Sequence, residues 1–303
     1  MNSLQFKKSQ LKLLCTIIGS NPQEIEYITE HIDDYYREWF EKKVNKATGD
    51  FKKFKDGTVK QRAIRPSLNR LKSIQVAIKN KILAPIPLPN NVHGGRKGRN
   101  NITNAKPHQG NKFKFTTDLQ EFYPNITSDQ VYQMFLHLRY SNHFAHWLTK
   151  LTTWKYELPQ GTPTSTHIAN LVFLSTDYKL IALCLKSNLT YTRYVDDLTF
   201  SSQQDFKPVL NNILGIVIED GFKISYRKTE YKGLQNVTGI DIYNNYIDAP
   251  KKIKINVASE VLSQDGMKPY TNYLKIIRRT NKNIKEKRAM NPSLEKDDYE
   301  IIR

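Results

Sequence analysis

Two adjacent aspartates, Asp196 and Asp197, stand inside Leu189–Ser202, LTYTRYVDDLTFSS, whose other residues are mostly those of a half-buried strand. Thr, Tyr, Val and Phe pack well on a pleated surface, whereas Asp favours turns. The stretch therefore reads as a β-hairpin with a carboxylate pair at its tip. Two carboxylates about 4 Å apart repel by roughly 4 kcal/mol at an effective dielectric of 20. A divalent cation removes that repulsion, and hard oxygen donors suit Mg²⁺ or Mn²⁺. Taken alone, Tyr194–Asp197 is also an ordinary Asp-rich turn, so the rest of the chain has to decide.

Charge supplies the next constraint. The 303 residues carry 47 Lys and Arg against 29 Asp and Glu, a net +18 that suits a polyanionic partner. From Gly57 to Thr117 there is no acidic residue and there are 13 basic ones, Arg96, Lys97 and Arg99 among them. A solvated surface mixes both signs, so this tract points to phosphate contacts. Lys268–Arg288 holds eight Lys or Arg, including Arg278 and Arg279, and one acid, Glu286. Its Tyr270, Tyr273, Leu274, Ile276 and Ile277 fit a helix with one buried and one cationic face. That helix either follows a nucleic-acid backbone or is merely solvated. Cys15 and Cys184 are too few for a zinc site or a disulfide framework. No apolar run is long enough to span a bilayer, and no secretory leader is evident, so a reduced, cytoplasmic protein without a membrane partner is expected.

Local signals give a helix-and-hairpin mixture of the α+β class. Residues 1–45 read as helical, with Asn21-Pro22 opening Gln23–Val44. Phe51–Ile64 reads as a hairpin about Asp56-Gly57. Ser67–Leu83 has helical spacing at Leu68, Leu71, Ile74, Ile78 and Ile82, and Gly94, Gly95 and Gly98 then mark a flexible basic loop. Lys112–Leu119 reads as a strand ending near Asp118. Thr127 or Ser128 caps a helix to about Arg139, and another is expected around His143–Trp154. Thr164–Thr166 caps a mainly apolar helix to about Lys186. Phe206–Glu219 is helical, and Val237–Asp248 reads as two strands about Asn244-Asn245. Phe122, Trp147 and Trp154 are expected in the core.

Phosphoryl transfer by two cations needs convergent carboxylates, and Asp118, 78 residues before Asp196 at a strand end, is the third candidate. Around it a resemblance becomes specific. Asp118–Pro124, DLQEFYP, resembles motif A of reverse transcriptases. Leu158–Ser165, LPQGTPTS, with Asn170-Leu171 resembles motif B, Tyr194–Asp197 motif C, and Gly221–Ile224 with Lys228-Thr229 motif D. Asn104-Ala105-Lys106-Pro107-His108 and Val237-Thr238-Gly239 are similar to the NAxxH and VTG signatures of retron reverse transcriptases. The order and spacing resemble a polymerase palm over roughly residues 57 to 245.

The resemblance implies a right-hand polymerase fold: N-terminal helices and fingers over 1–117, a palm of antiparallel sheet plus helices over 118–250, and a short basic thumb over 251–303. The 64 residues after Gly239 suit a small thumb without an appended domain. Asp118, Asp196 and Asp197 would bind two Mg²⁺ (or Mn²⁺), with the Leu119 carbonyl completing the site. Tyr123 would sit under the incoming sugar and reject a 2′-hydroxyl. Gln160 and Gly161 would let the backbone approach the nascent pair, Arg62 and Lys60 would hold the triphosphate, and Lys228 would neutralise the leaving pyrophosphate. Asn104, His108, Arg96, Lys97, Arg99, Arg278 and Arg279 would contact nucleic acid, although His108 and Lys228 also read as a structural histidine and a surface lysine. Val195 stands where retron enzymes usually carry Ala, which leaves the ligands intact and alters the contact with the primer end. Thr166-His167 follow Ser165 where Pro is common.

The implied activity is RNA-directed DNA synthesis from dNTPs on a structured non-coding RNA. It would give branched, RNA-linked single-stranded DNA (msDNA) in anti-phage defence, with an effector protein from the same locus. Alternatives are another bacterial defence-associated or group II-like reverse transcriptase, or a non-catalytic RNA-binding protein on a polymerase fold.

Overall fold

The structure is a computed structural model that describes residues 3–44, 49–54, 56–233, 236–262 and 266–281. The chain divides into two compact units, Met1–Pro87 with Glu121–Leu174, and Leu88–Gln120 with Ser175–Arg303.

In the first unit, helix Ser3–Ile18 buries Leu11, Leu14, Cys15 and Ile18, a spacing that puts all four on one stripe. Asn21 caps the next helix by accepting from the Glu24 amide at 2.9 Å, with Pro22 in the first turn. This helix stops at Glu30, which corrects the helix expected to Val44. A 3₁₀ turn, Ile32–Tyr35, follows, and Trp39–Lys42 forms strand β1. Its partner is β2 (Gln61–Ile64), antiparallel, with Trp39 opposite Ile64 and Lys42 opposite Gln61. The Asp56-Gly57 turn forms where expected, with Lys53 bridged to Val59 and the Asp56 carboxylate accepting from the Thr58 amide at 2.9 Å. Helix Asn69–Ile78 runs into a π-helical turn, Lys79–Leu83, and Leu71, Ile74, Ile78 and Ile82 are buried as their spacing predicts. A capping box between Thr127 and Gln130 starts helix Ser128–His137, and Ser141 caps Asn142–Thr152. Trp147, Trp154 and Phe122 are buried. The helix expected from Thr164 to Lys186 is two: Ser165–Val172, and Leu174–Lys186, which falls almost wholly in the other unit. Phe173 ends the first with backbone angles near −81° and −4°, its ring packed edge-on to Phe122.

The second unit is organised by a four-stranded antiparallel sheet. Its strands are β3 (Phe113–Asp118), β4 (Thr190–Tyr194), β5 (Asp197–Ser202) and β6 (Glu230–Lys232), in the order β4-β5-β3-β6. Phe115, Phe200 and Tyr191 lie buried on it, the Tyr191 and Phe200 rings stacked at 4.7 Å. The stretch read as one hairpin forms three strands, β7 (Asn236–Val237), β8 (Ile240–Ile242) and β9 (Ile247–Asp248). Thr238-Gly239 makes the additional turn, both at positive φ. These strands share a core of Ile102, Ala105, Ile240, Ile242, Ile247 and Ile277. Ile277 comes from helix Pro269–Arg279, in which Tyr273 and Leu274 are partly buried while Tyr270 and Ile276 are exposed. The apolar face is therefore narrower than the sequence suggested, and Lys282–Arg288 of that basic stretch lies outside the described residues. Among the described residues no single helix is long and apolar enough to cross a membrane.

Candidate active site

The pairing of β3 with β5 sets the geometry. Its register places Asp118, the last residue of β3, directly opposite Asp197, the first of β5. Val195 and Asp196 form the intervening turn, and the Asp196 carbonyl accepts from the Leu119 amide at 2.9 Å. Burial, the charges of Asp196 and Asp118, and hydrogen bonding to Asp118 push the Asp197 carboxyl up to about 7, while Lys228 opposes them. Motif D closes the other side. Ile224 bridges to Leu119, the Ser225 amide donates to the Asp118 carbonyl at 2.7 Å, and Lys228 Nζ lies 2.5 Å from Asp118 Oδ2. A cavity of about 120 Å³ opens here, lined by Asp118, Asp197, Lys228, Thr116, Thr199 and Thr238.

Among the described residues no three His, Cys, Asp or Glu side chains are grouped as a metal site. The donor chemistry of the pair nonetheless fits a hard divalent cation. Two carboxylates stand opposite each other at paired strand ends, and a lysine ammonium beside Asp118 supplies part of the positive charge they demand.

Asn104 and His108 were expected to meet nucleic acid, and the structure corrects both. Each is fully buried. The His108 ring bonds the Ser201 hydroxyl at 2.6 Å and the Thr192 hydroxyl at 2.7 Å, and burial, with the charges of Lys114 and His93, pushes it down to about 3. Asn104 Nδ2 donates to the Thr238 hydroxyl at 3.3 Å, so the two short signatures meet each other. Beside them, Asn101 donates to the Thr238 carbonyl at 3.1 Å and to the Tyr273 hydroxyl at 2.6 Å. In the basic loop, Arg96 and Arg99 are tied back to Pro89 and Asn90, while Lys97 is exposed. Arg278 pairs with Asp248 at 3.2 Å and Arg279 is exposed.

Tyr123, Gln160, Gly161 and Arg62 belong to the first unit. The Tyr123 hydroxyl lies 3.0 Å from that of Thr166. Gln160 accepts from the Arg65 amide at 2.7 Å, and Gly161 has φ +115°, a backbone that only glycine takes without strain. Arg62 is exposed on β2, and Lys60 lies over the Phe54 ring at 4.6 Å. Sequence reading missed Arg65, which pairs with Glu38 at 2.5 Å and with Glu157. It also missed the buried pair of Arg193 and Asp177, 2.6 Å apart, because nothing local marks either residue.

Residues 51–253 match the family model described as Reverse transcriptase (RNA-dependent DNA polymerase). The chain is 33% identical over 188 residues to the Retron Ec86 reverse transcriptase of Escherichia coli, covering 60% of this chain and 59% of that protein. It is 32% identical over 198 residues to the Retron Se72 reverse transcriptase of Salmonella heidelberg, covering 63% and 52%. It thus spans about half the length of the curated relatives it matches. Among solved structures, a telomerase from Candida albicans in complex with a telomeric RNA fragment aligns with a TM-score of 0.46 and 11% identity, over 75% of this chain and 50% of that one.

Proposed function

This chain belongs to the reverse transcriptase (RNA-dependent DNA polymerase) family, and from that premise we propose that it is the RNA-directed DNA polymerase of a retron. The observation that carries the proposal is the pairing of Asp118 with Asp197 in the lining of a polar cavity, with the Asp196 turn beside them. Asp118, Asp196, Asp197 and the Leu119 carbonyl would hold two divalent cations, Mg²⁺ or Mn²⁺. When bound, these would neutralise charge at the attacking hydroxyl and at the leaving pyrophosphate.

The chain's own groups do the positioning that this chemistry mostly consists of. Lys228 is half exposed beside Asp118 and brings an ammonium towards a leaving group. Tyr123, braced by Thr166, would sit against the sugar of an incoming dNTP, and Gln160 and Gly161 would admit the nascent pair to a bare backbone. Arg62 would hold the triphosphate. Lys97, Arg96, Arg99, Arg278 and Arg279 supply phosphate contacts. Fingers, palm and thumb would follow the three segments 1–117, 118–250 and 251–303.

On this reading the template is a structured non-coding RNA, the product is a branched RNA-linked DNA, and an effector protein of the same locus makes the pair a defence system. Similarity to the retron enzymes supports it. Expression with native flanking DNA should yield a short DNA whose mobility shifts on RNase or debranching treatment. Asp197→Asn should abolish that DNA while RNA affinity is retained. Equal loss of synthesis and of RNA binding would make the aspartates structural and sink the proposal.

A further inference from the structure

The carboxylate turn adopts a conformation that its own sequence does not favour. Val195 has φ +60°, and a β-branched residue stays in the left-handed region only where its surroundings hold it there. Two sets of contacts within the second unit do so.

The first is backbone. Segment Asn91–His93 runs parallel to β4 at its end, with the Arg193 amide donating to the Asn91 carbonyl and the His93 amide to the Arg193 carbonyl, both at 2.8 Å. This brings Gly94 hard against the turn. A Cβ built on Gly94 would lie 2.4 Å from Val195 N, 2.5 Å from Val195 Cγ2 and 2.9 Å from the Tyr194 carbonyl carbon. The glycine is required here by a close approach of backbones, since its own φ is not in the left-handed range.

The second is a side chain. Arg193 Nη1 donates to the Val195 carbonyl at 2.9 Å, while Nε and Nη2 grip both oxygens of Asp177 at 3.0 and 2.6 Å. The Tyr191 hydroxyl donates to the same carboxylate at 2.8 Å. Both charged side chains are fully buried. A buried pair is weak evidence for stability, and its best-attested use is to select one arrangement over others. The arrangement selected here is the turn, since one arm of the guanidinium fork ends on it.

We propose that Gly94 and the Arg193–Asp177 pair are positioning residues that lock the Val195-Asp196 turn and so fix Asp196 and Asp197 with respect to Asp118. The inference rests on those carboxylates carrying DNA synthesis. In Gly94→Ala, moving the new methyl from 2.4 Å to an ordinary contact at 3.4 Å displaces the turn by about 1 Å, and a misplacement of that size costs roughly a hundredfold in rate.

The test is primer extension on an RNA template by the full-length chain, with kcat, dNTP KM and RNA Kd measured separately. Amide hydrogen exchange is followed at Leu119, whose N–H bonds the Asp196 carbonyl, and at His93. Gly94→Ala should lower kcat about a hundredfold and leave KM and Kd within about threefold, with faster exchange at Leu119 and a melting temperature lowered by only a few degrees. Arg193→Lys keeps the charge opposite Asp177 but loses the fork, and should lower kcat with the same KM. A wild type that extends no primer, and that Asp196→Asn leaves no worse, removes the underlying active-site reading. An active wild type, a dead Asp196→Asn, and a Gly94→Ala with wild-type kcat and exchange overturn the positioning role alone. Parallel loss of kcat, RNA affinity and melting temperature in both variants overturns it too, because the segment is then a general structural support.

Discussion

Replacing His108 with glutamine should change the acid stability of the protein by an amount that follows from its burial. The ring is fully buried between the Ser201 and Thr192 hydroxyls, and its proton affinity is pushed down to about 3. In the unfolded chain the ring titrates near 6.5. Between these values the unfolded state takes up a proton that the native state refuses, so stability falls as pH falls from 6.5 towards 3. The slope is about 1.4 kcal/mol per pH unit, and integrating between pH 7 and pH 4.5 gives a loss of about 2.5 kcal/mol from this residue. His108→Gln removes the titration and leaves one hydroxyl without its partner, a cost of about 1 to 3 kcal/mol at pH 7. Urea unfolding of both proteins at the two pH values isolates the effect, because every other titrating group is common to them. The variant should be the weaker at pH 7, and the gap should close or reverse by about 2.5 kcal/mol at pH 4.5. A gap that is the same at both pH values would mean that the ring titrates normally when folded, and would refute the reasoning.

Two further outcomes are expected. Tyr123→Ala should admit ribonucleotides, lowering discrimination by about tenfold to a hundredfold as a steric contact is lost, and single-nucleotide incorporation of rNTP against dNTP measures it. RNA affinity should fall steeply with salt, log K declining by about 4 or more per tenfold rise if at least six phosphates are contacted; a flat response in a filter-binding titration would undo the argument from the acid-free tract Gly57–Thr117.

What could be read from the sequence was what neighbours decide. The strand–turn–strand around Asp196-Asp197, the strand ending at Asp118, the Asn21 cap and the stripe Leu71, Ile74, Ile78, Ile82 all follow from spacing within a few residues. What could not be read depends on distant partners. Trp39–Lys42 looks helical until β2 supplies its ladder, and Gln61–Ile64 itself reads as the second half of a local hairpin about Asp56-Gly57. Gly94 looks like loop freedom, whereas Val195 makes it a necessity. Arg193 looks like one more cation in a basic chain until Asp177, 16 residues away, neutralises it. His108 and Asn104 carry polar side chains that ordinarily face water, and only the hydroxyls of Thr192, Ser201 and Thr238 make their burial affordable.

The bond between Asn104 and Thr238 spans 134 positions of sequence and belongs to a joint that also takes in Asn101 and Tyr273. That joint divides the chain unequally for anyone building chimeras. A crossover placed between Thr238 and Tyr273, or between Asn104 and Thr238, parts residues that fit only as a set, and both parents must then bring matching halves. Exchange confined to Asn142–Thr152, a helix with no share in the joint, carries no such condition.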